Sequence, residues 1–335
     1  MFNRSRSLHN GSPDGLGLDV LFPPAGTSDE DAIVDIVFVH GLGGSRYGTW
    51  TKDGVLWGRT VLALDFPTAR ILGGSWAWGY DTDVVRFFGP VGRSNVQDLA
   101  KDLDRDLVQE RFEEYQISRP IIFVSHSLGG LVVKDALFMS YREGVKEARE
   151  SVDKRLAAIK SSTKGVLFAG TPHRGADKAK WAATATTGVV FKKGLFCRNK
   201  VPSLLPATCW NNHLICEGGL NTLKRGSEVL ERLQDSFRDI LEHFGVYTFV
   251  EDVGYPKVGR IVEKDSAIIG WHEKEYHMHA NHYDMVKFTS DKENDYKKVK
   301  FTIREIIKDR IEGGRTEANG ILTVAAPGGD AVTMD

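Results

Sequence analysis

The sequence predicts an α/β fold, a mostly parallel, doubly wound sheet flanked by helices on both faces. Three observations predict it. Short β-branched runs alternate with longer stretches of helical period along most of the 335 residues. The first clear strand, Ile33 to Val39, is apolar except at Asp35, as expected of a parallel strand covered on both faces. A later run, Ile121 to Val133, is apolar at both ends and turns around the small polar hexapeptide S-H-S-L-G-G, residues 125 to 130.

The elements follow in order. Residues 1–15 hold two arginines but no apolar core of the roughly seven residues a secretory signal needs, so they are expected to be disordered. No segment approaches the roughly eighteen consecutive apolar residues of a membrane span. An intracellular, cytoplasmic protein is expected, with organelle targeting left open by the Arg/Ser-rich start and peripheral membrane contact left open as well. The main domain is placed at 16–312. After the strand at Ile33 to Val39 comes one at Ala69 to Leu72. A helix is then predicted from Ser94, where Ser94 and Gln97 have capping-box spacing and Val96, Leu99, Leu103 and Leu107 form one apolar face.

The third strand, Ile121 to Ser125, follows Pro120 and leads into a helix from Leu128 to about Tyr141. The charged stretch from Arg142 to Lys160 reads as a solvated helix or long connection. Gly165 to Ala169 is the fourth strand, ending at G-T-P-H-R-G. Residues 181–225 break the rhythm with scattered Gly, Pro, Cys and Trp, which marks a lid-like insertion. Trp181, Val189, Val190, Phe191, Leu195 and Phe196 there would suit either an apolar wall for an acyl chain or ordinary core packing. A helix from Ser227 to Phe244 gathers Leu230, Leu233, Phe237, Ile240, Leu241 and Phe244 on one face. Strands at Val246 to Val250 and Glu275 to His279, then a helix from about Tyr296 to Ile311, close the domain. The tail, 313–335, is Gly/Ala/Thr-rich without period and is expected to be disordered.

Composition narrows the function. Lys plus Arg total 44 against 45 for Asp plus Glu, a net charge of -1, so no basic excess exists to neutralise a nucleic-acid backbone. Cys197, Cys209 and Cys216 show neither paired C-x-x-C spacing nor a disulfide ladder, and reduced thiols are expected. A zinc site built from them with His213 does not fall at finger-like spacings. No metal and no cofactor are expected.

The hexapeptide between strand and helix is the context of a nucleophile elbow, with Ser127 at the apex. Such a turn strains its central residue and needs small neighbours so that strand and helix can approach. Gly129 supplies one; Ser125 stands where G-x-S-x-G has glycine and is nearly as small. The alternative, a loop whose serine caps the helix, does not call for small residues on both sides. His126 is excluded as the base for Ser127, because adjacent side chains diverge at such a turn. The H-G-L-G-G loop after Val39 can aim backbone amides at a reacting oxygen, which makes Leu42 a candidate oxyanion donor beside Leu128, the residue directly after Ser127. The same loop lacks the G-x-G-x-x-G of a dinucleotide site.

Chain order Ser…acid…His puts the base late, among His272, His277, His279 and His282. His282 is preferred because it follows the short strand and precedes the last helix. The acid belongs at the end of the penultimate strand, where Glu251 is favoured over Asp252, with Asp265 as competitor. Asp284 reads as a local loop-stabilising side chain.

Taken together, "DIVFVHGLGGSRYGTW", "GYDTD", "IIFVSHSLGGLVVKDAL", "FAGTPHRGAD" and "ANHYDMVKF" resemble a subgroup of the α/β-hydrolase fold. It comprises the serine-esterase domains at the N-termini of fungal NACHT- or NB-ARC-type proteins, with serine-active-site-containing and inositol-deacylase-like lipases. The resemblance covers about residues 16 to 312. It implies Ser127 as nucleophile, His282 as base and Glu251 as acid, with Leu42 and Leu128 as oxyanion amides and His173 as a structural or pocket-shaping residue. It implies a serine esterase or lipase acting on a small-molecule or lipid ester through an acyl-enzyme. Two alternatives use the same scaffold: a catalytically silent signalling module, against which the intact Ser/His/acid set argues, and an acyltransferase.

Overall fold

In the computed structural model, described at residues 17–41, 44–75, 92–146, 153–177, 225–256 and 258–313, seven strands form one sheet. Gly17–Phe22 is β1, Val34–Val39 is β2, and Thr51–Lys52 with Val55–Leu56 make a small separate hairpin, β3 and β4. Ala69–Ser75, Ile121–His126, Thr163–Ala169, Gly245–Glu251 and Glu273–Met278 are β5 to β9. The spatial order is β1-β5-β2-β6-β7-β8-β9, with every neighbour pair parallel except β1 and β5. Among the described residues the long helices are α1, Gly92–Glu110; α2, Gly129–Val145; α3, Lys154–Ser162; α4, Glu228–Arg238; and α5, Asn294–Ile306.

Side-chain alternation along the strands divides the interior into two cores. Val37, Val39, Phe123, Val166, Phe168 and Val246 face the cluster that holds α1, α2 and α4 residues such as Leu103, Leu131 and Phe237. Ile36, Phe38, Ile122, Val124, Leu167 and Phe249 face the other, with Trp50, Trp57, Tyr296 and Ile303. A strand covered on both faces has no polar side to display, which is why β2 and β6 are buried at every position.

Asp35, the one charge in β2, is resolved by its neighbours. It is fully buried and paired with Arg70, Arg111 and Arg119, while Asp29 also takes Arg70 and Arg119. The cluster ties β2, β5 and the segment after α1 together at the edge opposite the strand C-termini.

Several boundaries differ from the sequence expectation. Helix α1 begins at Gly92, so Ser94 lies inside it and is not its cap. The helix expected to Phe244 ends at Arg238, followed by a tight turn at Leu241–His243. The stretch from Arg142 contains the end of α2 and then α3, whose cap Asp153 accepts the amides of Arg155 and Leu156. The elements absent from the sequence reading include β1, the β3–β4 hairpin, the π-helical turn Gly58–Leu62 that follows Trp57, and the short helices Glu114–Ile117 and Lys264–Ala267. The expected disordered N-terminus, the tail beyond Gly313, the three cysteines and the insertion except Arg225 lie outside the described residues.

Candidate active site

Strand order reverses around β2: β5 lies on one side, β6 on the other. In open α/β sheets a crevice forms at such a reversal beyond the carboxyl ends of the strands. Ser127 sits there, one residue beyond β6, with a left-handed backbone, φ +57°. That conformation costs a β-carbon-bearing residue on the order of 1–3 kcal/mol, so its surroundings must enforce it. The Ser127 amide donates to the carbonyl of Ala169 at 2.8 Å, and the Gly130 amide donates back to the carbonyl of Ser127 at 3.1 Å. Packing closes the turn further. A β-carbon on Gly129 would lie 2.5 Å from the carbonyl oxygens of Val39 and His40, so only glycine lets α2 start this close to β2. Ser125 fits the other small position because its hydroxyl donates to the carbonyl of Leu167 at 2.9 Å, leaving no unsatisfied polar group in a fully buried place.

His282 arrives from the loop after β9. Asn281 builds that loop: its side-chain oxygen accepts the amides of Tyr283 and Asp284 and the Tyr255 hydroxyl, and its side-chain nitrogen donates to Asp284 at 2.8 Å. The result brings His282 Nε2 to 3.0 Å from Ser127 Oγ. Gly170 makes room for the ring; at φ +57° it would carry a β-carbon 2.9 Å from His282 Nδ1. Both Ser127 and His282 are buried, at 3% and 1% exposure, and burial drives the imidazole well below the ordinary histidine range, helped by neighbouring His126.

Glu251 is the last residue of β8 and fully buried. Its Oε1 lies 3.7 Å from His282 Nδ1 and accepts the Val262 amide at 2.6 Å. The separation from Nδ1 exceeds a hydrogen bond but is short for charge interaction, and such contacts tighten when a transition state develops charge. Burial pushes this carboxyl up to about 7, against the backbone donors that favour its ionised form.

The competing residues go elsewhere. Asp252 Oδ1 is 2.6 Å from His277 Nδ1 on the exterior, and His277 Nε2 lies 2.8 Å from Glu275. Asp265 forms a two-pronged pair with Arg225 at the surface. Asp284 belongs to the Asn281 loop. His272 and His279 are exposed. Of the backbone donors, Leu128 is the N-cap of α2, so its amide lies at the positive end of a seventeen-residue helix. Leu42 lies outside the described residues. His173 is buried against Phe168, and its Nδ1 is 3.1 Å from Lys134 Nζ, which also donates to Gln234 at 2.6 Å.

Chemically, a hydroxyl in contact with an imidazole whose far nitrogen faces a buried carboxylate can pass its proton to that imidazole, and the carboxylate stabilises the charge that results. Among the described residues no group of three or more His, Cys, Asp or Glu side chains could hold a metal ion, and no helix is long and apolar enough to cross a membrane.

Protein SERAC1 of Bos taurus is 28% identical over 279 residues, covering 76% of this chain and 36% of that protein. Protein SERAC1 of Homo sapiens is 27% identical over 256 residues, covering 70% and 32%. The chain thus spans about a third of the length of these relatives. Among solved structures, the mature form of lipase BlEst2 from Bacillus licheniformis matches with a TM-score of 0.48 at 15% identity, over 82% of this chain and 94% of that one. A lipase-esterase related protein from Clostridium acetobutylicum matches at 0.46 and 12%, over 87% and 99%. The family model described as the alpha/beta hydrolase family matches residues 36–254, more than half of the sequence, and the chain belongs to that family.

Proposed function

We propose that the protein is a serine hydrolase that cleaves carboxylic esters of small molecules or lipids through an acyl-enzyme. The observation that carries this reading is the alignment of Ser127 Oγ, 3.0 Å from His282 Nε2, with Glu251 on the far side of the same ring. Ser127 Oγ attacks the ester carbonyl while its proton passes to His282 Nε2, and Glu251 stabilises the imidazolium. The tetrahedral oxyanion is met by the Leu128 amide and, from the loop after β2, the Leu42 amide; one such donor contributes about 3 kcal/mol to transition-state stability. Collapse breaks the bond to the alkoxide, which takes the proton from His282 and leaves as the alcohol. Water then repeats the cycle on the acyl-enzyme and returns free acid and Ser127. An ester is preferred to an amide on the resemblance to serine esterases, and the narrower kinship with NACHT-associated and inositol-deacylase-like hydrolases belongs to the same proposal.

A fluorophosphonate probe tests the reading. Wild type is expected to label covalently and Ser127→Ala to lose the label while keeping its circular dichroism spectrum. A folded wild type that does not label refutes it and favours the silent module. Release of acid and alcohol from p-nitrophenyl esters in water, with an optimum along an acyl-length series, then separates hydrolysis from acyl transfer.

A further inference from the structure

His126, between the small Ser125 and the apical Ser127, is not aimed at the nucleophile. Its Nε2 lies 2.8 Å from the carbonyl oxygen of His282, 156 residues away, and both residues are buried. A carbonyl only accepts, so Nε2 must carry the proton and His126 must be the donor. The two rings lie 5.0 Å apart, centroid to centroid, and the indole of Trp50 stands edge-on to His126 at 6.5 Å. The elbow and the histidine loop therefore touch twice: through Ser127 and the His282 side chain, and through the His126 side chain and the His282 backbone.

We infer that His126 is a positioning residue, a neutral hydrogen-bond donor that clamps the backbone of His282 to the nucleophile elbow and so fixes where the imidazole stands relative to Ser127 Oγ. The inference rests on the serine-hydrolase reading. Its logic is geometric. The loop 279–285 is shaped by Asn281 and Tyr255 and tied to the end of β8 by the Val253 amide on the Ala280 carbonyl at 3.2 Å and by the His282 backbone against Glu251, contacts that reach β8 and not β6. The hydrogen bond from His126 makes the link to β6 directly. Because the donor precedes the nucleophile in the chain, any shift of the elbow carries the base with it.

The clamp must also stay uncharged. When His282 accepts the Ser127 proton, a second imidazolium at 5.0 Å would oppose it. Burial, which lowers His126 to about 4, keeps the clamp neutral throughout the range in which the reaction would run. The charged groups that bear on it, His40 and Lys287, push in the same direction.

The test compares His126→Phe, which keeps a ring against Trp50 but cannot donate, with His126→Gln, whose amide can. Both are measured for rate of fluorophosphonate labelling, for kcat and KM on p-nitrophenyl butyrate, and for urea unfolding. A displacement of the base on the order of 1 Å costs roughly a hundredfold in rate. Expected are a loss of that order in kcat and in labelling rate for His126→Phe with KM within about twofold, and recovery to within about tenfold of wild type in His126→Gln. Labelling of His126→Phe at the wild-type rate overturns the clamp while leaving the hydrolase reading intact; absence of labelling in folded wild type overturns both. Equal losses in Phe and Gln variants, tracking equal losses of stability, assign His126 a merely structural role. Should His126→Phe fail to fold, nitrogen-15 spectra of histidine-labelled wild type decide. The resonance of His126, assigned by its loss in His126→Gln, is expected as an Nε2–H tautomer that does not titrate down to pH 5, and its titration near 6.5 refutes the clamp.

Discussion

Replacing Glu251 by Gln separates its chemical role from its structural one, because the structure predicts opposite signs for activity and stability. The carboxylate oxygen is 3.7 Å from His282 Nδ1. With an effective dielectric constant of about 20, a unit charge pair at that distance is worth about 4.5 kcal/mol, or roughly a thousandfold in rate. Glutamine keeps the volume and the Val262 contact but not the charge, so kcat/KM on p-nitrophenyl butyrate at pH 8.5 is expected to fall by about a thousandfold. Stability moves the other way. Burial raises the Glu251 carboxyl from 4.5 to about 7. A raised acid contributes stability that is fully present below about pH 4.5 and is lost as pH rises through about 7. That difference between folded and unfolded chain amounts to about 3 kcal/mol that wild type loses between pH 4.5 and 8.5 and the neutral glutamine does not. Urea unfolding at the two pH values should show the variant gaining on wild type by about that amount. An activity loss below tenfold, or a stability gap that does not widen with pH, would refute the reasoning. So would a larger activity loss in Asp252→Asn or Asp265→Asn.

Further outcomes follow from the same geometry. Gly170→Ala places a methyl group against His282 Nδ1 at a left-handed backbone position, so kcat/KM on the same ester should fall about a hundredfold while the far-ultraviolet circular dichroism is kept. Asp35→Asn leaves Arg70, Arg111 and Arg119 buried around a neutral amide; removing one partner from a buried ion cluster costs about 3–5 kcal/mol, to be read as a lower urea midpoint. The rate at which the fluorophosphonate probe labels Ser127 in folded molecules should be unchanged in that variant, because the cluster lies at the opposite, N-terminal ends of the strands.

The sheet was legible because its central strands carry short apolar runs of the kind a doubly covered parallel sheet produces; Ile33 to Val39, interrupted only at Asp35, and Val246 to Val250 are recognised from their residues alone. β1 was not, since Gly17–Phe22 is a short edge strand with Asp19 in it, paired on one side only and mostly half-exposed. The end of α4 was missed for a related reason: Ile240, Leu241 and Phe244 are buried like helical positions, but they reach the core from a tight turn and an extended residue. Apolar spacing reports burial, and a chain can bury the same side chains without continuing the helix.

The candidate site shows the same division at finer grain. Chain order selects the kind of residue; strand parity selects its number. Along β8, Tyr247 and Phe249 face the core that contains Met285, while Val246 and Val250 face the other. Glu251 shares parity with Phe249, so its carboxylate emerges on the side where Met285 and His282 pack together around Gly170. Asp252, one residue further, exits toward His277 instead. Two adjacent carboxylates, chemically near-equivalent, are thus sent to different histidines by a periodicity of two. His126 could be set aside from sequence as a base for Ser127, but its contact with His282 could not be foreseen, because the partner it reaches is a backbone carbonyl. A backbone carbonyl carries no residue identity, so no pattern of side chains along the chain can announce such a contact.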